Sequence, residues 1–150
     1  MSPKVKITHS PDSGIGLARA AALAALDKKA EDIVIIDLSD IESAPADFFM
    51  ICTCNSTTHA QAVASSVETE CRVSATQPPR SEGWDALEWV IVDCFDVVAH
   101  IMTATTRDFY TLEKLWGDGK FTRLNENGEF IADKKPSRTR KSTKGAVEND

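Results

Sequence analysis

A compact, single α/β domain with a mixed β-sheet flanked by helices is the fold class this sequence predicts, on three observations. Its 150 residues fit one domain, and a hydrophobic share of 42% is enough for one core. Apolar residues alternate between helical spacing and short β-branched runs, in the order α-β-β-α-β-β-α. The run "DIVIIDL" is apolar at consecutive positions, as a strand covered on both faces must be.

Each element has its own local reason. Residues 1–14 are polar, contain Pro3 and Pro11, and predict a flexible N-terminal arm. In "GLARAAALAALDKKA" the alanine density favours helix, with Leu17, Ala21, Leu23, Ala24 and Leu26 on its apolar stripe. Residues 32–38 and 48–54, "DIVIIDL" and "FFMICTC", read as strands around the turn "ESAPAD". Asn55 and Ser56 are capping residues for a second helix carrying Ala60, Val63, Ala64 and Val67. Pro78, Pro79 and Gly83 then break regularity. "LEWVIVD" and "DVVAHIM" are separated only by Cys94 and Phe95 and predict a hairpin. Thr105 or Thr106 caps a closing helix that runs to about Trp116 and ends at Gly117 and Gly119. The rest is polar and then basic, so the expected organisation is an arm over 1–14, a folded domain over 15–117 and a disordered tail over 118–150.

The net charge of −6 conceals two unlike parts. Residues 134–144, "KKPSRTRKSTK", hold six basic side chains and no acidic one, whereas residues 1–133 carry 11 basic against 21 acidic residues, about −10. An acidic body repels nucleic-acid backbones and suits a basic protein partner; the tail suits a weak contact with RNA. No apolar run approaches the roughly 20 residues of a membrane span, and "MSPKVKITHSPDSG" lacks the apolar stretch of a secretory signal. A soluble, cytoplasmic protein is expected.

Catalytic apparatus is hard to find. "GIGLAR" with Asp37 imitates a dinucleotide fingerprint, but Arg19 occupies the position of the third small residue. Asp93 and Asp96 are three apart across a turn, not at alternate positions of one strand face as a two-carboxylate Mg²⁺ site requires. Cys52, Cys54, Cys71 and Cys94 lack paired zinc spacing and read as core thiols. His9, His59 and His100 are scattered. No cofactor and no metal are expected. Trp84, Trp89 and Trp116 stand near acidic residues (Glu82, Asp85, Glu88, Asp93, Asp96, Glu113), a mixture that serves core closure or an interface in which aromatic anchors meet a basic partner.

Five segments in order, "ALDKKAEDIVIIDLSD", "DFFMICTCNST", "EG", "WVIVDCFDVVAHI" and "RDFYTLEKLW", resemble the ribosomal silencing factor, or Iojap-like, family across nearly all of residues 17–117. The resemblance implies a nucleotidyltransferase-like core without catalytic carboxylates and a non-enzymatic role. It implies docking on ribosomal protein fourteen of the large subunit, where it blocks joining of the small subunit and lowers translation when nutrients are short; organelle relatives are linked to large-subunit assembly. Carried onto this chain, the docking candidates are Trp89, Asp93, Asp96 and His100 on the hairpin, with Arg107, Tyr110, Leu112, Glu113, Leu115 and Trp116 on the closing helix. Leu112 and one of Leu115 or Trp116 are expected to pack inward, because a short helix persists only with tertiary burial. The same apolar hairpin or helix offers a route to a homodimer of the free protein. The chain departs from the family pattern at Cys54 and Phe95, where glycine is common, and at Ala99, where a larger β-branched residue is usual. A bulky Phe95 in a turn needing positive φ is expected to be strained.

Overall fold

The computed structural model describes residues 13–75 and 77–133. In chain order these form α1 (Ser13–Asp27), β1 (Glu31–Asp37), β2 (Phe48–Cys54), α2 (Thr57–Ser74), β3 (Arg80–Glu82), β4 (Trp89–Asp93), β5 (Val97–Thr103), α3 (Ala104–Tyr110), α4 (Leu112–Leu115), β6 (Lys120–Leu124) and β7 (Phe130–Asp133). The strands make one seven-stranded sheet in the order β3-β4-β5-β2-β1-β6-β7. β2 and β5 run parallel and all other neighbours antiparallel, so the sheet is mixed. The expected hairpin is present, with Trp89 opposite Met102 and Asp93 opposite Val98.

The two helical layers are built differently. α1 and α2 cover one face of the sheet, over a core that includes Ile33, Ile35, Met50, Cys52, Val90, Val92, Ala99 and Ile101. α1 turns Ala18, Ala21, Ala22 and Ala25 inward, all fully buried, and leaves Leu23 44% exposed. The inward stripe was expected to include Leu23; close approach to β1, β2 and α2 instead selects the smallest face of the helix, so size outweighs hydrophobicity. α2 buries the expected Ala60, Val63, Ala64 and Val67, and Ser56 Oγ accepts from His59 N at 3.0 Å as its N-cap. On the opposite face Val34, Ile36, Phe49, Ile51, Met102, Leu112 and Phe121 form a second core, with Trp116 packed against it. β1 is apolar at consecutive positions because it feeds both cores.

Three expectations about the path of the chain are corrected. β3 forms within the stretch read as irregular, held by Gly83 at φ +97°, where a Cβ would lie 2.1 Å from the Trp89 carbonyl oxygen. The domain does not stop at 117. β6 pairs with β1 from Ile33↔Leu124 to Asp37↔Lys120 and β7 continues the sheet, so residues 120–124 and 130–133, expected in the tail, are sheet strands. Two inward side chains, Phe121 and Leu124, each 5% exposed on opposite faces, anchor a polar strand whose backbone ladder is indifferent to sequence. The closing helix is also not continuous: Thr111, at φ 45° and ψ 57°, divides α3 from α4. Residues 1–12 of the expected arm and the basic segment 134–144 lie outside the described residues, while Ser13 and Gly14 already belong to α1.

Candidate docking surface

Strands β4 and β5 show how one face remains available. Along β4 burial alternates: Val90 and Val92 are fully buried under the α1–α2 layer, whereas Trp89, Ile91 and Asp93 on the other face are half-buried. Val98 on β5 is likewise half-buried, while Val97, Ala99 and Ile101 are fully buried. α3 lies over β5 and β2, so the second layer stops short of the β3–β4 edge. There Arg80, Ser81, Glu82, Ile91 and Asp93 line an open groove. Glu82 on β3, Asp85 and Glu88 between β3 and β4, Asp96 in the β4–β5 turn and Asp108 on α3 are exposed acidic residues.

An aromatic chain crosses from the covered half to the open half. Trp116 meets Phe49 edge-on at 6.0 Å, Phe49 meets His100 at 4.5 Å, and His100 lies 5.9 Å from Trp89. Trp89 in turn lies 4.8 Å from Tyr110, and Tyr110 packs edge-on against Phe109 at 4.9 Å. Such pairs add about 0.5–1.5 kcal/mol each beyond the area they bury. Trp89 Nε1 donates to His100 Nδ1 at 3.1 Å. His100 is 5% exposed, its Nε2 is buried without a partner among the described residues, and burial lowers its pKa to about 4.

The sequence candidates therefore separate. Trp89, His100, Tyr110 and Trp116 are joined in the aromatic chain, in which Tyr110 is 51% exposed; Leu115, on α4, is 69% exposed. Arg107, expected at the surface, is only 8% exposed and ties elements together. Its Nη1 donates to Asp32 O at 2.6 Å and Thr53 Oγ1 at 2.8 Å, while Nε and Nη2 reach Glu113 Oε2 at 3.1 and 2.6 Å. β1 is irregular between Glu31 and Val34, with Asp32 at φ 48°, and the arginine satisfies a carbonyl there. Leu112 is buried, so it and Arg107 secure α3 and α4, and Glu113 is engaged with Arg107. The reason is the break at Thr111, which turns consecutive residues toward opposite environments.

Asp93 and Asp96 sit at the far end of the hairpin from Trp89. Asp93 Oδ1 accepts from Phe95 N at 2.9 Å, and Asp96 O accepts from Phe48 N. Phe95 has φ 71°, so the turn does use the left-handed conformation that glycine tolerates best. Its ring is 46% exposed beneath the Arg80 guanidinium, 5.8 Å from the ring centre. Ile91, Val98 and Phe109, the last 76% exposed, also belong to this surface and were missed. Period-two alternation through "WVIVD" carried the signal for Ile91; nothing in the spacing distinguished Phe109 from a core residue.

The alternative chemistries find little support in the geometry. Gly14 and Gly16 lie inside α1 and not in a turn before it, and Asp37 Oδ1 accepts from Ser39 N and Oγ. The four thiols are buried. Hydrogen bonding to Cys54, then burial, raises the Cys52 pKa; hydrogen bonding to Cys94, then burial, raises that of Cys71. Among the described residues no three His, Cys, Asp or Glu side chains converge as a metal site, and no helix is long and apolar enough to cross a membrane.

Comparison with known proteins gives a consistent picture. The family model described as "Ribosomal silencing factor during starvation" matches residues 11–150. A protein named ribosomal silencing factor RsfS from Bacillus subtilis is 40% identical over 109 residues, covering 73% of this chain and 92% of its own. Mitochondrial assembly of ribosomal large subunit protein 1 from Mus musculus is 35% identical over 92 residues, covering 59% of this chain and 40% of its own. A crystal structure from Chromobacterium violaceum superposes with a TM-score of 0.64 at 33% identity, over 68% of this chain and 84% of that one. One from Bacillus halodurans gives 0.60 at 36% identity, over 68% and 94%.

Proposed function

This chain belongs to the ribosomal silencing factor family, and from that premise we propose that it binds the large ribosomal subunit and keeps the small subunit from joining. The partner we infer is ribosomal protein fourteen, met by the open half of the sheet. The observation that carries this reading is the contrast along β4, where Val90 and Val92 are fully buried while Trp89 and Ile91 remain half-buried beside an exposed Tyr110. Aromatic groups that are held in place but not covered are what an interface uses as anchors, and the surrounding carboxylates favour a basic surface.

The mechanism is exclusion. A bound factor and the small subunit compete for one face, so repression requires affinity and bulk, and no bond is made or broken. Trp89, Tyr110 and Leu115 supply apolar contact; Asp93 and Asp96 select charge at the other end of the hairpin. His100 and Arg107 support that face from within. The six basic residues of 134–144 add a weak contact with ribosomal RNA, so removal of residues 134–150 lowers affinity only modestly. The protein acts in the cytoplasm, and Phe109, Tyr110 and Leu115 give the free protein a surface for pairing with a second copy. Participation in large-subunit assembly is a second reading, favoured by the mouse relative's name.

Sedimentation with isolated large subunits, isolated small subunits and joined ribosomes tests the proposal. The chain should travel with large subunits alone and should prevent their joining. Trp89→Ala or Tyr110→Ala, in protein that remains folded, should weaken large-subunit binding by about 2 kcal/mol or more, as for an interface anchor. Unchanged co-sedimentation of both variants would overturn the assignment of this face, and normal subunit joining at saturation would overturn the mechanism.

A further inference from the structure

The histidine beneath the open face is almost wholly buried, yet it is an uneconomical choice for a core. His100 is 5% exposed and packs against Phe49, and its Nε2 is buried with no hydrogen-bond partner among the described residues. Leaving a polar group in that state is unfavourable, and an apolar side chain of similar size would avoid it. Its other nitrogen accounts for the choice. Nδ1 accepts the Trp89 indole N–H at 3.1 Å, which requires Nδ1 to be unprotonated and places the ring hydrogen of the neutral form on Nε2.

We propose that His100 is a positioning residue for the docking surface: its neutral imidazole fixes the Trp89 indole against Tyr110 so that the anchor is preformed. The sheet register permits this. His100 stands directly opposite Ile91, which places Trp89 on the diagonal within reach of a long side chain on the same face. Trp89 is thus bracketed by a hydrogen bond on the β5 side and an aromatic contact with α3 on the other, 4.8 Å between ring centres. Fixing the rotamer before association removes an ordering cost that a free indole would meet on binding. The low pKa that burial imposes on His100 keeps the acceptor nitrogen unprotonated at neutral pH. This inference rests on the docking role of Trp89, but its first test does not.

The test is the indole N–H of Trp89, followed by NMR in ¹⁵N-labelled full-length protein, with large-subunit affinity measured in parallel. His100→Leu keeps the core apolar and removes the acceptor; His100→Asn places an amide oxygen near the position of Nδ1. In His100→Leu the Trp89 indole N–H should move to a solvent-like shift and exchange faster, while thermal stability holds or rises. Large-subunit affinity should fall about fivefold, the equivalent of one hydrogen bond. His100→Asn should restore indole protection and most of the affinity. An indole N–H that stays protected in His100→Leu would overturn the positioning role. Protection lost with affinity unchanged would leave the hydrogen bond intact as a finding and refute its role in docking. Affinity falling equally in both variants, in proportion to stability, would reduce His100 to a packing residue.

Discussion

The two ends of the face opposite α1 and α2 use similar residue types for opposite ends. Over β2, β1 and β6 the sheet is closed by α4, Trp116 and the Arg107 network; over β3 and β4 it is left with Trp89, Ile91 and Asp93 partly in solvent. The closed half is completed by a buried charge that is bound to Asp32 O, Thr53 Oγ1 and Glu113. In the open half the aromatic groups are held from below but not covered from above. Surface availability is thus decided by what lies on top of a residue, and hydrophobicity is a poor guide to it.

Four measurements break or sharpen that contrast. Arg107→Ala removes the group that joins Asp32 O, Thr53 and Glu113, and should cost about 3 kcal/mol of folding stability in a denaturant titration, as for one side of a largely buried ion pair. A loss under about 1 kcal/mol would show that the closed half does not depend on it. Acid should act through the support of the open half. His100 binds its proton near pH 4 when folded and near 6.5 when unfolded, so between those values the unfolded chain holds the extra proton and stability falls as pH drops. The loss is on the order of 3 kcal/mol, absent above about pH 6.5 and complete by about pH 4, and His100→Leu should abolish this pH dependence.

The neighbours Leu112 and Leu115 provide the next comparison. Leu112→Ala should lower stability by about 2 kcal/mol, at the low end for a buried leucine. Leu115→Ala, at a side chain 69% exposed, should change stability by less than about 0.5 kcal/mol and be visible only in large-subunit binding. Equal effects on folding would erase the distinction between the two halves. Smallest is Phe95→Gly, which relieves a bulky residue at φ 71° but gives up the Arg80 contact, for a net gain of about 0.5 kcal/mol in thermal denaturation.

Much of this architecture is legible without coordinates. Alternation and capping locate β1, β2, α2 and the hairpin because each follows a local rule, and five segments in a fixed order identify the family. What escapes is decided at a distance. β6 carries only two inward side chains in a polar stretch, so its membership depends on β1 offering an unpaired edge. Arg107 looks like a surface charge until Thr53 and the irregular start of β1 are brought to it. The stripe of α1 is misread because the spacing records where apolar residues lie and not how near the neighbouring layer comes. Within the candidate surface, Trp89 and Tyr110 are among the candidates that spacing and resemblance offer but do not sort, and the indirect place of His100 follows only from its burial and its hydrogen bond to Trp89.

The late arrival of β6 has a consequence for the protein's own synthesis. β1 is apolar on both sides, and one of its edges stays unpaired until residues 120–124 have been made, more than eighty positions after β1 itself. Until then the growing chain presents a bare hydrophobic strand to whatever is nearby, the kind of template that recruits other strands. A chain cut after residue 117 would carry that edge permanently and should aggregate, although every docking candidate from Trp89 to Trp116 would still be present.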